Sequence, residues 1–306
     1  QRVLAFGSEL AALRALPGAA TPAVDPAALA AFFRFGCIPA PFSIQAGLQQ
    51  LPPGQLVSIP AGAEGCAPLQ LPAPQPWWDL QAEAARATAL PVSAAFASES
   101  EALEALEVTL QQAVAEQAIA DVPLGAFLSG GIDSSLITAL LQAQSSRPVR
   151  SFTIAFPDEG GAASGFNEAP YARAVAERLG TDHTEVALTA SDARALIPAL
   201  PRIYSEPFAD SSQLPTHLVC REARRSGLTV ALSGDGGDEL FGGYNRHRLA
   251  PALQRRFGVL PPLARRAIAR SLELLPASAA GLARDKRRKL AAAIGAAGSL
   301  AELHAA

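Results

Sequence analysis

Between residues 122 and 232 short apolar runs alternate with amphipathic stretches, and this alternation constrains the fold more than any other feature. VPLGAFL (122–128), VRSFTIAF (149–156), HTEVAL (183–188) and LTVAL (228–232) read as strands. The stretches 134–144, 168–179, 192–204 and 211–225 read as helices. Parallel strands can be joined only by a crossover, so the expected fold is α/β, a parallel sheet with helices on both faces. Such sheets bind ligands at the carboxyl ends of their strands, which points to the loops after Leu128 and Leu232. A helix should precede the first strand. Ser98 and Glu101 have capping-box spacing, and Leu103, Leu106, Leu110 and Val114 recur at helical intervals up to Gln117.

The flanks carry weaker signals. QRVLAFGSEL at the start reads as a strand running into a helix, and residues 1–60 mix short apolar segments with turns. Residues 61–97 are rich in proline and alanine (APLQLPAPQPWWDL); each proline removes a donor and fixes φ. We expect this stretch to resist regular structure, as an inter-domain linker or a long surface loop. Residues 98–306 then form the main domain, helical beyond 248. Methionine is absent and SLAELHAA stops inside an apparent helix, so the expectation is an excerpt of a longer protein.

Composition narrows the partners. Hydrophobic residues reach 49%, but no uninterrupted apolar run is long enough for a transmembrane helix. A net charge of −3 gives no reason to expect nucleic acid, and RDKRRK (284–289) reads as a solvated helix face. Cys37, Cys66 and Cys220 are odd in number and far apart, which fits a reducing, cytoplasmic setting and packing roles. No cysteine or histidine pair has zinc-site spacing.

Two loops carry the chemistry. In LSGGIDSS, Gly130 and Gly131 permit a tight turn into a helix whose first amides lack intrahelical partners and favour an anion. Ser129, Ser134 and Ser135 add hydroxyls, making a phosphate cradle. Asp133 would repel a phosphate unless a cation lay between them, which implies Mg²⁺. The bland alternative is a plain turn with Asp133 as a helix-capping acid. In ALSGDGGDELFGGY (231–244), Ser233 and Gly234 again follow a strand, with Asp235, Asp238 and Glu239 among glycines. Asp133 and Asp238 could share Mg²⁺ across a polyphosphate; a hydrated acidic turn is the alternative. A Walker A loop fails because the only lysines are Lys286 and Lys289. The dinucleotide fingerprint fails because Glu239 stands where its third glycine belongs, and neither strand-end serine sits in G-x-S-x-G.

LSGGIDSS resembles the PP-loop signature of ATP pyrophosphatases. Together with SEPFADSSQLPT and LSGDGGDELFGGYNR it is similar to the synthetase domain of glutamine-dependent asparagine synthetases. Residues 1–60 resemble the end of that family's glutaminase domain: FGSELAAL its closing strand and helix, LAAFFRFGCIPAPFSIQAGLQQLPPG its tail. The resemblance implies ATP cleaved between the α and β phosphates, AMP transferred to a carboxylate, and pyrophosphate released. Ser129, Gly130, Gly131, Ser134 and Ser135 would grip the pyrophosphate, and Asp133 and Asp238 would be the Mg²⁺-linked acids. Phe127, Leu128 and Ile154 fall where the family's strands meet the nucleotide, as do Ser233 and Gly234. Asp235 stands where many members have glutamate, near the activated acyl group. Asp210, Ser211 and Ser212 are placed to form the acceptor-carboxylate pocket, although Glu206 and Asp210 also read simply as charges at a helix N-terminus.

The cofactor set is therefore ATP and Mg²⁺, and aspartate is the expected acceptor. Ammonia would come from a glutaminase domain of the same parent chain, whose nucleophilic N-terminal cysteine none of the three cysteines matches. The family's pyrophosphate-stabilising lysine would lie downstream. A homodimer is compatible with this reading, and neither nucleic acid nor membrane is expected as a partner. Two alternatives remain: an amidotransferase for another carboxylate, and a nucleotide-binding fragment without turnover.

Overall fold

The structure is a computed structural model describing residues 4–17, 23–59, 72–89, 96–157, 167–274, 281–299 and 303. The chain divides into two compact units. The first comprises Gln1–Gly131 and Ser135–Leu232; the second comprises Ile132–Ser134 and Ser233–Ala306.

The first unit opens with α1 (Leu10–Arg14) and α2 (Pro26–Phe35). Asp25 caps α2 by accepting the Ala27 and Ala28 amides at 2.8 and 3.0 Å, and Pro26 needs no N–H at the first helical position. Gly36 ends α2 with φ +73°, and Ala28, Ile38 and Ile44 bury against Leu10 and Phe32. The expected opening strand is absent among the described residues: 4–7 have no regular structure before α1. The proline-rich stretch is more ordered than expected. β1 (Gln55–Leu56) pairs antiparallel with β2 (Gln75–Pro76), and α3 (Leu80–Thr88) starts where Asp79 accepts the Ala82 amide. Pro76 sits in a two-residue edge pairing, where its missing donor costs little. Residues 60–71 and 90–95 of the expected linker lie outside the described residues.

The α/β part follows the alternation. α4 (Glu99–Gln117) is capped by Ser98, which accepts the Glu101 amide, while the Glu101 carboxylate reaches Ala97 N–H at 2.6 Å. Then come β3 (Leu124–Phe127), α5 (Ile132–Ala143), β4 (Arg150–Ala155), α6 (Ala169–Leu179) and β5 (Asp182–Ala187). α7 (Ala190–Leu196), α8 (Leu200–Ile203), α9 (Gln213–Arg225) and β6 (Val230–Leu232) complete the unit. The four strands are all parallel in the order β5-β4-β3-β6.

Alternate residues serve opposite faces. Ala126, Leu124 and Leu232 pack with Val114 of α4 and Leu140 and Leu141 of α5. Phe127, Phe152, Ile154 and Ala231 pack instead with Val219 and Ala223 of α9. The expected helix over 192–204 is broken. α7 starts earlier, where Thr189 and Asp192 form a capping box, and a 3₁₀ turn, Ile197–Ala199, separates it from α8. Pro198 and Pro201 lie at those junctions, where each removes the amide a continuous helix would need.

The second unit holds α10 (Gly237–Phe241), α11 (Asn245–Phe257), α12 (Pro262–Leu274) and α13 (Gly281–Gly295). α12 and α13 pack together, and Ala291 and Ile294 of α13 are buried. Among the described residues no helix is long and apolar enough to cross a membrane.

Candidate functional site

β3 and β6 are neighbours, with Ala126 opposite Leu232, so the loops that follow them start from the same end of the sheet. Leu128 extends β3 by donating its N–H to Phe152 O at 2.9 Å, while its side chain is buried against Ala172 and Ala176. Ser129 Oγ accepts the Gly131 amide at 3.2 Å. Gly130 has φ +82°, and a Cβ there would come within 2.6 Å of the Ala172 nitrogen. Neither the conformation nor the space tolerates a side chain.

Gly131 is the N-cap of α5, so the helix opens at Ile132, two residues earlier than its sequence indicates, and Asp133 falls in its first turn. The amides of that turn have no intrahelical acceptor. Ser134 is buried, and Ser135 Oγ is buried without a hydrogen-bond partner. A buried hydroxyl left unsatisfied in the first turn of a helix is a donor held ready for an anion.

In the second unit, Asp133 meets bare glycine backbone. A Cβ on Gly234 would lie 2.6 Å from the Ser134 nitrogen, and one on Gly237 would lie 2.5 Å from Asp133 Cγ. These glycines make room for Asp133 itself, and Asp238 is the next residue after Gly237. Asp133, expected from sequence to share a cation with Asp238, thus lies against the residue that precedes Asp238, and both acids are half-buried. Asp238 Oδ1 fills the space that a Cβ on Gly243 would take. Asp235 is exposed and is held locally, accepting from Ser233 Oγ at 3.0 Å. Glu239 accepts from Tyr244 Oη at 2.8 Å.

The donor set fits Mg²⁺ in its usual manner, with one or two carboxylates and the remaining positions filled by phosphate and water. No group of three or more His, Cys, Asp or Glu side chains that could cage a metal occurs among the described residues.

Phe127 and Ile154 are half-buried on the α9 side of the sheet. Asp210 accepts the Ser212 amide at 2.8 Å, and the Ser212 backbone and hydroxyl hold its carboxyl below the ordinary carboxylate range. Ser211 and Ser212 are exposed, and α9 begins after them, at Gln213.

Glu206 is a correction. It does not cap a helix; its Oε1 accepts Ser43 Oγ at 3.0 Å and the Ile44 amide at 2.7 Å, and its Oε2 accepts Gln50 Nε2 at 2.6 Å. Its partners lie more than 150 residues away in sequence, and no local pattern signals them. Cys37 and Cys220 are free thiols, and Cys66 is outside the described residues.

The family model for asparagine synthase matches residues 105–304. The chain belongs to the asparagine synthase family. A putative asparagine synthetase (glutamine-hydrolyzing) of Mycobacterium tuberculosis (strain ATCC 25618 / H37Rv) is 40% identical over 171 residues, covering 56% of this chain and 25% of that protein. Asparagine synthetase (glutamine-hydrolyzing) 1 of Bacillus subtilis (strain 168) is 38% identical over 129 residues, covering 42% of this chain and 19% of that protein. Amidase chry2 of Gibberella zeae is 32% identical over 199 residues, covering 60% of this chain and 28% of that protein. The chain thus spans less than a third of the length of each of these relatives.

Proposed function

We propose that the chain is the ATP-dependent synthetase part of a glutamine-dependent asparagine synthetase. The observation that supports this reading is Asp133 seated against Gly234 and Gly237, which sets the acid of the first loop beside the residue that precedes Asp238. In the reaction, an acceptor carboxylate oxygen attacks the α-phosphorus, and the α–β phosphoanhydride bond breaks, releasing pyrophosphate. Ammonia then attacks the acyl carbon and AMP leaves with the bonding electron pair.

Ammonia cannot expel an oxide from a carboxylate, so activation is necessary, and the protein's task is positioning and charge neutralisation. The first-turn amides of α5, with Ser129, Gly130, Gly131, Ser134 and Ser135, grip the departing pyrophosphate. Ser233 and Gly234 offer backbone to the nucleotide, and Phe127 and Ile154 offer an apolar surface to adenine and ribose. Asp133 and Asp238 would hold Mg²⁺, which when bound offsets the charge building on the leaving group. Asp235 lies beside the activated acyl group, and Asp210, Ser211 and Ser212 receive the acceptor. Residues 1–60 are read as the end of a glutaminase domain that supplies ammonia in the same cytoplasmic parent chain.

The test uses the full-length parent with Mg·ATP, glutamine and aspartate. AMP and pyrophosphate formed in step with asparagine support the reading; ADP and orthophosphate overturn it.

A second acceptor is favoured by two observations. Asp235 is shorter than the glutamate many members carry, and one relative is named an amidase rather than a synthetase. ATP–pyrophosphate exchange across a panel of carboxylic acids separates the two, since silence toward aspartate with response to another acid selects the second.

A further inference from the structure

The loop 205–209 lies between α8 and Asp210 and has no regular structure of its own. Its shape is set by residues distant in sequence but within the same unit. Glu206 takes three donors from Ser43, Ile44 and Gln50. Ser205 Oγ donates to Glu9 Oε2 at 3.0 Å, and Arg14 Nη2 donates to Ser205 O at 3.5 Å. Ala209 N–H donates to Gly36 O at 2.8 Å. Three of the five loop residues are therefore tied to the N-terminal layer, and Ser43 and Ile44, which hold Glu206, are buried there.

The tethers stop where the candidate acceptor pocket begins. Asp210 follows Ala209 directly and turns its carboxylate onto the Ser212 amide. Gln213, the first residue of α9, ties back into the same loop through Nε2 to Phe208 O at 3.0 Å and accepts Tyr204 Oη on its carbonyl at 3.2 Å. A shift of Glu206 would thus be passed through Ala209 to Asp210–Ser212.

We propose that Glu206 is a positioning residue: its carboxylate fastens the loop 205–209 to the segment 43–50 and so sets the geometry of the acceptor pocket at 210–212. This rests on the proposed function, since it assumes that 210–212 receives a carboxylate. In that reading 1–60 is the end of the ammonia-supplying domain, so Glu206 also joins that domain's terminal segment to the place where the acceptor sits.

The test is a swap in the full-length parent. Glu206→Gln leaves an acceptor for Ser43 and Ile44, but the Gln50 amide must then either face it donor to donor or turn over and give up its bond to Ile38 O. Adding Gln50→Glu restores a donor–acceptor pair with the roles reversed, at the loss of the Gln50–Ile38 bond. We expect Glu206→Gln to raise KM for the acceptor acid about tenfold, the effect of one mispaired hydrogen bond, with KM for ATP unchanged. The double variant should recover most of that loss. Equal losses for acceptor and ATP without recovery, or no change in either, overturn the proposal.

Hydrogen exchange gives a readout independent of turnover. Glu206→Ala, which leaves no acceptor, should deprotect the Ile44 and Ala209 amides together, and an unchanged Ala209 overturns the positioning role. If the wild-type parent forms no AMP or pyrophosphate with any acid, the functional reading fails while the exchange result still decides whether Glu206 sets this loop.

Discussion

Asp133 and Glu206 are both half-buried acids in segments that the family resemblance assigns to the reaction, yet their surroundings are opposite. Asp133 meets Gly234 and Gly237, backbone with no side chain to offer it. Glu206 has both oxygens engaged by three donors. A carboxylate can accept about four hydrogen bonds, so Glu206 has most of its capacity spent on the fold. Neighbours decide the role proposed for each: Asp133, framed by glycine, is the proposed cation ligand, and Glu206, ringed by donors, is the proposed fastener.

The largest effect should come from the first acid. Asp133→Asn or Asp238→Asn should lower AMP and pyrophosphate formation by about 10²-fold or more, the range seen when one charge-stabilising group is lost, with little change in melting temperature. Retained activity with lost stability would invert the comparison. Next come the glycines. Gly130→Ala forces a left-handed conformation costing about 1–2 kcal/mol and drives a methyl into the Ala172 backbone, so chemical denaturation should show it clearly destabilised. Gly237→Ala keeps an ordinary φ but collides with Asp133 Cγ; it should lose activity far more than stability, and the reverse would mean the glycine serves folding alone.

Glu206→Ala belongs to the opposite class. It strands the buried Ser43 hydroxyl and the Ile44 amide, at about 1–3 kcal/mol for each unsatisfied group, and should lower the unfolding free energy. A fully stable Ala variant would show that the tether is decorative.

The smallest effect sharpens the rule for a cation. His183 bonds Ser151 Oγ through Nδ1 at 2.8 Å, and its Nε2 is buried without a partner. Burial pushes its pKa down, helped by Arg173 and opposed by Glu185. The unfolded chain therefore binds a proton that the folded chain refuses. Stability should be intact above about pH 6.5, the ordinary histidine value, and fall as pH drops through it toward the lower folded pKa. Denaturation midpoints at several pH values should flatten in His183→Gln; an equal slope in both proteins would assign the acid sensitivity elsewhere.

Much of this was legible in the sequence where the physics is local. The alternation of short apolar runs with amphipathic stretches placed all four strands of the sheet within two residues, because each apolar position faces a helix on one side or the other. The Ser98 cap and the glycine–acid loops were legible for the same reason. That Asp133 would meet the second loop followed from topology, since both loops leave adjacent parallel strands. Long-range and competing effects were hidden. The broken helix over 192–204 reflects prolines overriding an amphipathic pattern, and β1–β2 pairs segments on either side of a proline-rich run. Glu206 carried no local signal because its partners sit 156 to 163 positions upstream.

The central claim is that Asp133 and Asp238 serve one magnesium-bound nucleotide. Calorimetric titration of the full-length parent with Mg²⁺ and α,β-methylene ATP, in the wild type, Asp133→Asn, Asp238→Asn and the double variant, tests it directly. The account predicts that each single change weakens magnesium-dependent affinity about tenfold and that the double is scarcely weaker than either, the non-additivity of groups sharing one partner. Independent, additive losses, or affinity unchanged in the single variants, would contradict it.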